Sequence, residues 1–207
     1  MGRKSLQAER QQEILGHFGQ AILEVGMEGA TTGNVARRMG IKTSLLMHYF
    51  PTKAAMVAAL VQDLIRRYRE RFQAALDDQT NPENRIHFII DQLLSPVWED
   101  SDQSGLFYAC FPLIFREHEV RREYQALFGF FRDFLEEELS MAIREGIIPP
   151  QDCREAAELL ITIVEGKGVY HRILNDPVWE ATRKAHLKEV IWTILALHRG
   201  NISPYKD

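Results

Sequence analysis

Through almost the whole chain, apolar residues return at every third or fourth position, the period of helices that bury one face. Ile14, Phe18, Ala21, Ile22 and Val25 form the first such stripe, and Gly26 is placed to end it. Thr31 or Thr32 can cap a short second helix with Val35, Ala36 and Met39 inward. Gly40 then allows a tight turn, and Thr43 or Ser44 can cap a third helix that ends near Phe50, before Pro51. Thr52 caps a long fourth helix from Lys53 to about Ala75, apolar at its start and charged along Arg66, Arg67, Arg69, Glu70 and Arg71. After the polar break at 77–81, Pro82 opens a helix reaching Leu94, and Ser95-Pro96 interrupts it. Shorter pieces run through an aromatic stretch. A long helix follows from about Glu119 to Glu145, ended by Gly146 and Pro149-Pro150, and two strongly apolar helices run from Asp152 to Asn175 and from Pro177 to His198. No alternating strand pattern bounded by hairpin turns is present, and no internal repeat, so the prediction is an all-α fold of about nine helices.

Composition changes this picture in two ways. Of 207 residues, 45% are hydrophobic and 10% aromatic, enough for a well-buried core, which excludes a disordered or fibrous chain. The net charge of −4 hides an asymmetry: seven basic against four acidic residues through Lys53 give +3, and 18 against 25 beyond it give −7. A basic head on an acidic body suits a phosphate-binding module joined to a different functional domain. The longest apolar run, Ala54 to Val61, falls far short of the roughly 20 residues that cross a bilayer, so no membrane association is expected. The first residues are basic with no apolar stretch behind them, and Leu6 stands where a myristoylation signal needs Ser or Thr; a cytoplasmic protein is expected. Cys110 and Cys153 are too few for a disulfide framework or a structural zinc site and read as ordinary buried thiols.

The most informative segment is Thr31 to Lys53. Two short helices around Gly40 make a helix-turn-helix pattern, whose second helix can enter a major groove while the first crosses the backbone. Val35, Ala36, Met39, Ile41 and Leu46 can pack the pair together, which leaves Lys42, Thr43, Ser44, Leu45, His48 and Tyr49 near the outward face. Those groups offer cationic, hydroxyl and aromatic contacts to phosphates and base edges.

Gly26, Thr31-Thr32, Val35-Ala36, Gly40-Ile41, His48-Tyr49-Phe50 and Lys53 resemble the DNA-binding segment of the TetR family of bacterial regulators. The resemblance implies a homodimer with a reading head in residues 1–53, a shared connecting helix at 53–75, and a ligand-binding and dimerisation body in 54–207. It also implies a repressor that releases a palindromic double-stranded DNA operator when a small molecule occupies the body. Carried over residue by residue, it puts Thr32, Tyr49 and Lys53 on phosphates and Lys42, Thr43, Ser44, Leu45 and His48 on the reading surface; Arg37 joins the candidate DNA-binding set. Met47 departs from the family, which usually has a phosphate-contacting tyrosine there, and Gly33 leaves no side chain early in the second helix.

In the body, Trp98, Phe107, Tyr108, Phe111, Phe115, Tyr124, Phe128, Phe130, Phe131 and Phe134 are an excess of rings that a helical domain can arrange around an apolar, aromatic or cationic small molecule. From these we take Trp98, Phe107, Tyr108, Phe111, Tyr124 and Phe128 as ligand-binding candidates, with His118, Glu165, Tyr170 and His171 as polar partners. Gly166 and Gly168 each cost a helix about 1 kcal/mol, which close helix approach would offset. Ile161, Val164, Gly168, Ile173, Leu187, Ile191, Ile194 and Leu195 are therefore the candidate dimer interface, unless the same stripes close the monomer's own core.

No catalytic constellation is present. The chain lacks a Gly-x-Ser-x-Gly elbow, a His-Glu-x-x-His pair and a phosphate-cradling glycine loop, and we expect no enzyme, no cofactor and no metal. The competing reading is a non-enzymatic helical adaptor without DNA binding, which leaves the basic head unexplained.

Overall fold

The computed structural model describes residues 3–95, 101–174 and 177–196. They form nine α-helices and one 3-10 turn, with no strand among the described residues: α1 (Arg3–Gly29), α2 (Thr32–Arg38), α3 (Thr43–Tyr49), α4 (Lys53–Asp77), α5 (Pro82–Leu93), α6 (Ser101–Cys110), the 3-10 turn (Phe111–Phe115), α7 (His118–Arg144), α8 (Cys153–Leu174) and α9 (Pro177–Ala196). The chain divides into two compact units, Met1–Glu70 with Trp98–Leu127, and Arg71–Val97 with Phe128–Asp207. Residue 53, where the sequence places the edge of the reading head, lies inside the first.

In the first unit, Ile14, Leu15, Phe18, Ala21 and Ile22 of α1 are buried, but Val25 is exposed and does not continue the stripe. The helix breaks there, because Gly26 takes a left-handed φ of 73° and starts a separate last turn. Thr31 caps α2 as expected, its Oγ1 accepting from the Asn34 N–H at 3.1 Å. Val35, Ala36, Leu46 and Phe50 are buried between the helices, with Met39 and Ile41 half-buried. Gly40, at φ 65°, makes the turn between α2 and α3. The expected hydroxyl cap of α3 is absent: Lys42 is the N-cap residue and gives no side-chain bond, while Thr43 begins the helix.

The first unit also holds a contact invisible in the sequence. Helix α6 lies across α1, and each helix presents a glycine to a leucine of the other. A Cβ on Gly19 would stand 3.1 Å from Leu106 Cδ1, and one on Gly105 would stand 3.3 Å from Leu23 Cδ2. Larger residues at either position would push the helices apart.

The second unit is closed by Leu76, Ile86, Ile89, Ile90, Leu93, Leu135, Leu139 and Leu160, all buried. Arg85 of α5 ties three segments, donating to both carboxylate oxygens of Glu138 on α7 at 2.7 and 2.6 Å and to the Leu76 carbonyl of α4 at 3.1 Å. Buried Lys167 donates to the Leu94 carbonyl at 3.3 Å, at the C-terminal end of α5. Lys188 of α9 pairs with Asp91 of α5 at 2.8 Å.

This packing corrects two of the expected interface residues. Ile191 and Leu195 are 0% exposed and belong to the chain's own core, since α9 packs on α5 and α8. Ile161, Val164, Gly168, Leu187 and Ile194 are half-buried, and Ile173 is 71% exposed. Among the described residues of the second unit, the exposed large apolar side chains lie on α8, where Leu159, Val169, Tyr170 and Leu174 join Ile173. No described atom comes within 4 Å of where a Gly166 Cβ would be.

Candidate nucleic-acid interface

Helix α3 is seven residues long and is anchored by Leu46 at 0% exposure, followed by Phe50 at its end. With so narrow an inward face, Lys42, Thr43, Ser44, Leu45, Met47 and His48 are all exposed, and Tyr49 is half-buried. His48 meets the Tyr49 ring edge-on, the centroids 5.6 Å apart. Because the α3 cap is made by the backbone, with the Lys42 carbonyl accepting from the Leu45 and Leu46 N–H groups, the Thr43 and Ser44 hydroxyls stay available for an outside partner. No acidic residue occurs from Thr31 to Lys53.

The cations near this edge fall into two groups. Arg38 is used internally: its Nη1 and Nη2 donate to the two Glu24 oxygens at 2.6 and 2.7 Å, fastening α2 to α1. Those hydrogen bonds hold the Glu24 carboxyl below its usual range and push Arg38 up. Lys53 is also engaged, its Nζ donating to the Met27 carbonyl in the last turn of α1. Burial lowers the Lys53 pKa, and Glu28 partly opposes this. Arg37 and Lys42 are exposed and form no ion pair with another described residue. Thr32, the remaining candidate, is half-buried at the start of α2.

Below the reading edge, the first unit contains a cleft of about 650 Å³ lined by Gln11, Gln12, Leu15, Phe50, Asp63 and Arg66, with Glu123 and Leu127 from α7. The sequence does not single it out. Asp63, which precedes the charged run of α4, is 5% exposed and accepts from Gln12 of α1 at 3.0 Å and from Arg66 at 2.6 Å. Arg67 pairs with its other oxygen at 2.6 Å. Burial alone would raise this carboxyl; the Arg66 and Gln12 hydrogen bonds and the Arg67 charge outweigh it and hold the pKa down.

The ligand candidates divide between the two units. In the first, Phe107, Tyr108, Phe111 and Tyr124 form one ring cluster: Tyr124 stands 4.8 Å from Phe107 and 5.5 Å from Phe111, and Phe107 meets Tyr108 at 5.4 Å. Tyr124 is buried and its hydroxyl donates to the Phe107 carbonyl at 2.6 Å, so that hydroxyl serves the fold. His118 is exposed. In the second unit, Phe128 and His171 are half-buried and Tyr170 is exposed. Glu165 is half-buried with no hydrogen bond or ion pair to another described residue, and burial raises its carboxyl to about 7. Trp98 lies outside the described residues. A second cluster, Phe72, Phe130, Phe131 and Phe134, packs in the second unit.

Among the described residues, no three His, Cys, Asp or Glu side chains gather as metal ligands, and no single helix is long and apolar enough to cross a membrane. Cys110 is buried, its thiol pushed up to about 12, and Cys153 is half-buried rather than buried.

A helix-turn-helix with an open, acid-free edge is matched by the family model for bacterial regulatory proteins of the tetR family over residues 20–60, and residues 81–197 match the tetracyclin repressor-like C-terminal domain. The chain belongs to the TetR family. It is 30% identical over 172 residues to the nucleoid occlusion factor SlmA of Mannheimia succiniciproducens, covering 80% of this chain and 76% of that protein. It is 26% identical over 188 residues to the HTH-type transcriptional regulator BetI of Escherichia coli, covering 86% and 90%. A TetR transcription regulator from Haloarcula marismortui shares the fold with a TM-score of 0.78 at 22% identity, covering 92% of this chain and all of that one. This TetR-family chain is thus a ligand-responsive, DNA-binding transcriptional regulator, and the adaptor reading is not favoured.

Proposed function

We propose that the protein acts as a homodimeric repressor that places two copies of α3 in successive major grooves of a palindromic operator and leaves it when a small molecule binds the body. The observation that carries this reading is the α3 edge: Lys42, Thr43, Ser44 and His48 exposed over a single fully buried leucine, in a segment with no acidic residue from Thr31 to Lys53. Thr43, Ser44, Leu45 and His48 face base edges, and Thr32, Arg37, Lys42 and Tyr49 face phosphates. Lys53 acts mainly as a strut for the end of α1 rather than as a phosphate ligand. The site of action is the cytoplasm, where the DNA is, and no catalysis is involved.

The dimer is made through α8 and the half-buried edge of α9, because Ile173, Leu174, Val169 and Leu159 of α8 are exposed apolar side chains that a partner surface would cover. The α1–α6 crossing gives the effector a route to the head. A shift of α6 would be passed to α1 through the contacts of Leu106 at Gly19 and of Leu23 at Gly105. Because heads spaced for one turn of duplex, roughly 34 to 36 Å, lose register on a small displacement, the effector needs only modest preference for the splayed state; about 100-fold gives roughly 2.7 kcal/mol. Among apolar, aromatic and cationic effectors, Glu165 supports a cationic one: a positive charge beside that carboxylate would offset the burial that now holds it partly protonated.

The test is selection of bound duplexes from a random pool, followed by affinity measurements against salt. Enrichment of an inverted repeat, with an affinity that falls steeply with salt, is expected. Failure to enrich any sequence would refute the reading.

A further inference from the structure

The polar edge of α3 is interrupted by two large apolar side chains that DNA binding does not by itself require. Leu45 is 43% exposed and Met47 47%. An exposed leucine alone means little, and Leu6, Leu23 and Val25 of α1 are exposed as well. What distinguishes Leu45 and Met47 is where they stand. At about 100° of rotation per residue, with Leu46 and Phe50 inward, Ser44 and His48 point most directly away from the protein. Leu45 then lies about 60° to one side of that direction and Met47 about 100° to the other. Two apolar groups thus bracket a polar strip.

In a major groove the base edges present ring nitrogens, carbonyl oxygens and amino groups, and one large apolar group, the C5 methyl of thymine. A leucine has no donor or acceptor, and a thioether is only a weak acceptor. Set against a carbonyl or an amino group, either side chain would strip water from a polar atom and return nothing. Set against a thymine methyl, it removes two apolar surfaces from water together. Hydroxyl and cationic neighbours can satisfy the polar edges between them.

We infer that Leu45 and Met47 are specificity-determining residues, each packing on a thymine methyl, one on either side of the base pairs addressed by Ser44 and His48. The inference rests on the reading of α3 as the groove-entering helix. It assigns Met47 a role in base selection in place of the backbone contact that its position usually makes.

The experiment uses the full-length protein and a duplex enriched from a random pool. Each thymine is replaced in turn by deoxyuridine, which keeps every hydrogen-bonding atom and removes only the methyl. For the wild type, affinity should fall about fourfold at two thymines of each half-site, the worth of one methyl-sized apolar contact. Leu45→Ala should abolish the sensitivity at one of these positions and Met47→Ala at the other. Both side chains are exposed, and unchanged thermal melting will show that the variants keep the fold. Sequence-selective binding that is indifferent to deoxyuridine everywhere would overturn the inference while leaving α3 as the reading helix. Sensitivity that survives in both variants would overturn it equally. A pool that yields no enriched sequence would instead remove the DNA reading beneath it.

Discussion

Helices α3 and α8 both leave part of themselves uncovered, but what they leave uncovered differs. On α3 the surplus is mainly polar, with Leu45 and Met47 as its apolar members: hydroxyls not used for capping, Lys42 and His48 exposed, and neighbouring Arg37 in no ion pair with another described residue. On α8 it is apolar: Ile173, Leu174, Val169 and Leu159 are exposed on the helix that carries Gly166, and no described atom lies within 4 Å of where a Gly166 Cβ would be. A polar surplus of one charge sign suits a polyanion, whereas an apolar surplus suits another protein surface. The contrast assigns the two ends of the regulator's work, reading and pairing, to separate elements.

The sharpest way to break that division is to put a charge on α8. Ile173→Asp should give a monomer in sedimentation and lower operator affinity by about 100-fold or more, because each head then binds alone. A dimeric variant with full affinity would place the interface elsewhere. A smaller effect is expected from Glu165→Gln, also on α8. A carboxyl whose pKa is raised to about 7 in the folded chain stabilises it fully below its unfolded value of 4.5, and that contribution is lost as pH rises toward 7. The variant should therefore be about 3 kcal/mol more stable than the wild type at pH 8 and nearly equal at pH 4.5, as read by denaturant unfolding. A difference independent of pH would mean that the carboxyl is not desolvated.

The smallest effects concern adjacent arginines. Arg37→Ala should weaken binding to all duplexes and reduce the slope of log affinity against log salt by about one, the loss of one phosphate contact. Arg38→Ala should leave the slope unchanged, because Glu24 already takes that charge. Equal slope changes would show that the Glu24 pair opens on DNA.

The helix pattern, the Thr31 and Thr52 caps and the outward set of α3 were legible in the sequence because each depends on residues within a turn or two of one another. What was not legible depends on which helices meet. Periodicity shows that Ile191 and Leu195 face something apolar, but it cannot distinguish their own α5 and α8 from a second copy. Lys53 matches a phosphate-binding position, and its additional bond to the Met27 carbonyl of α1 is one that no local pattern shows. The setting of Asp63 likewise depends on a distant partner, Gln12 of α1. A close approach was expected at Gly166 and Gly168, whereas the tight crossing seen within the chain is at Gly19 and Gly105, positions no local pattern marks.

The central claim is that the outward residues of α3 carry sequence recognition. It is tested most directly by comparing the affinity of the wild type and the Thr43→Ala/Ser44→Ala/His48→Ala variant for the enriched duplex and for a scrambled one at fixed salt. The account predicts that the variant loses most of the wild type's preference for the enriched duplex and keeps only the smaller part that the Leu45 and Met47 contacts supply. A variant that still prefers the enriched duplex as strongly as the wild type would contradict it.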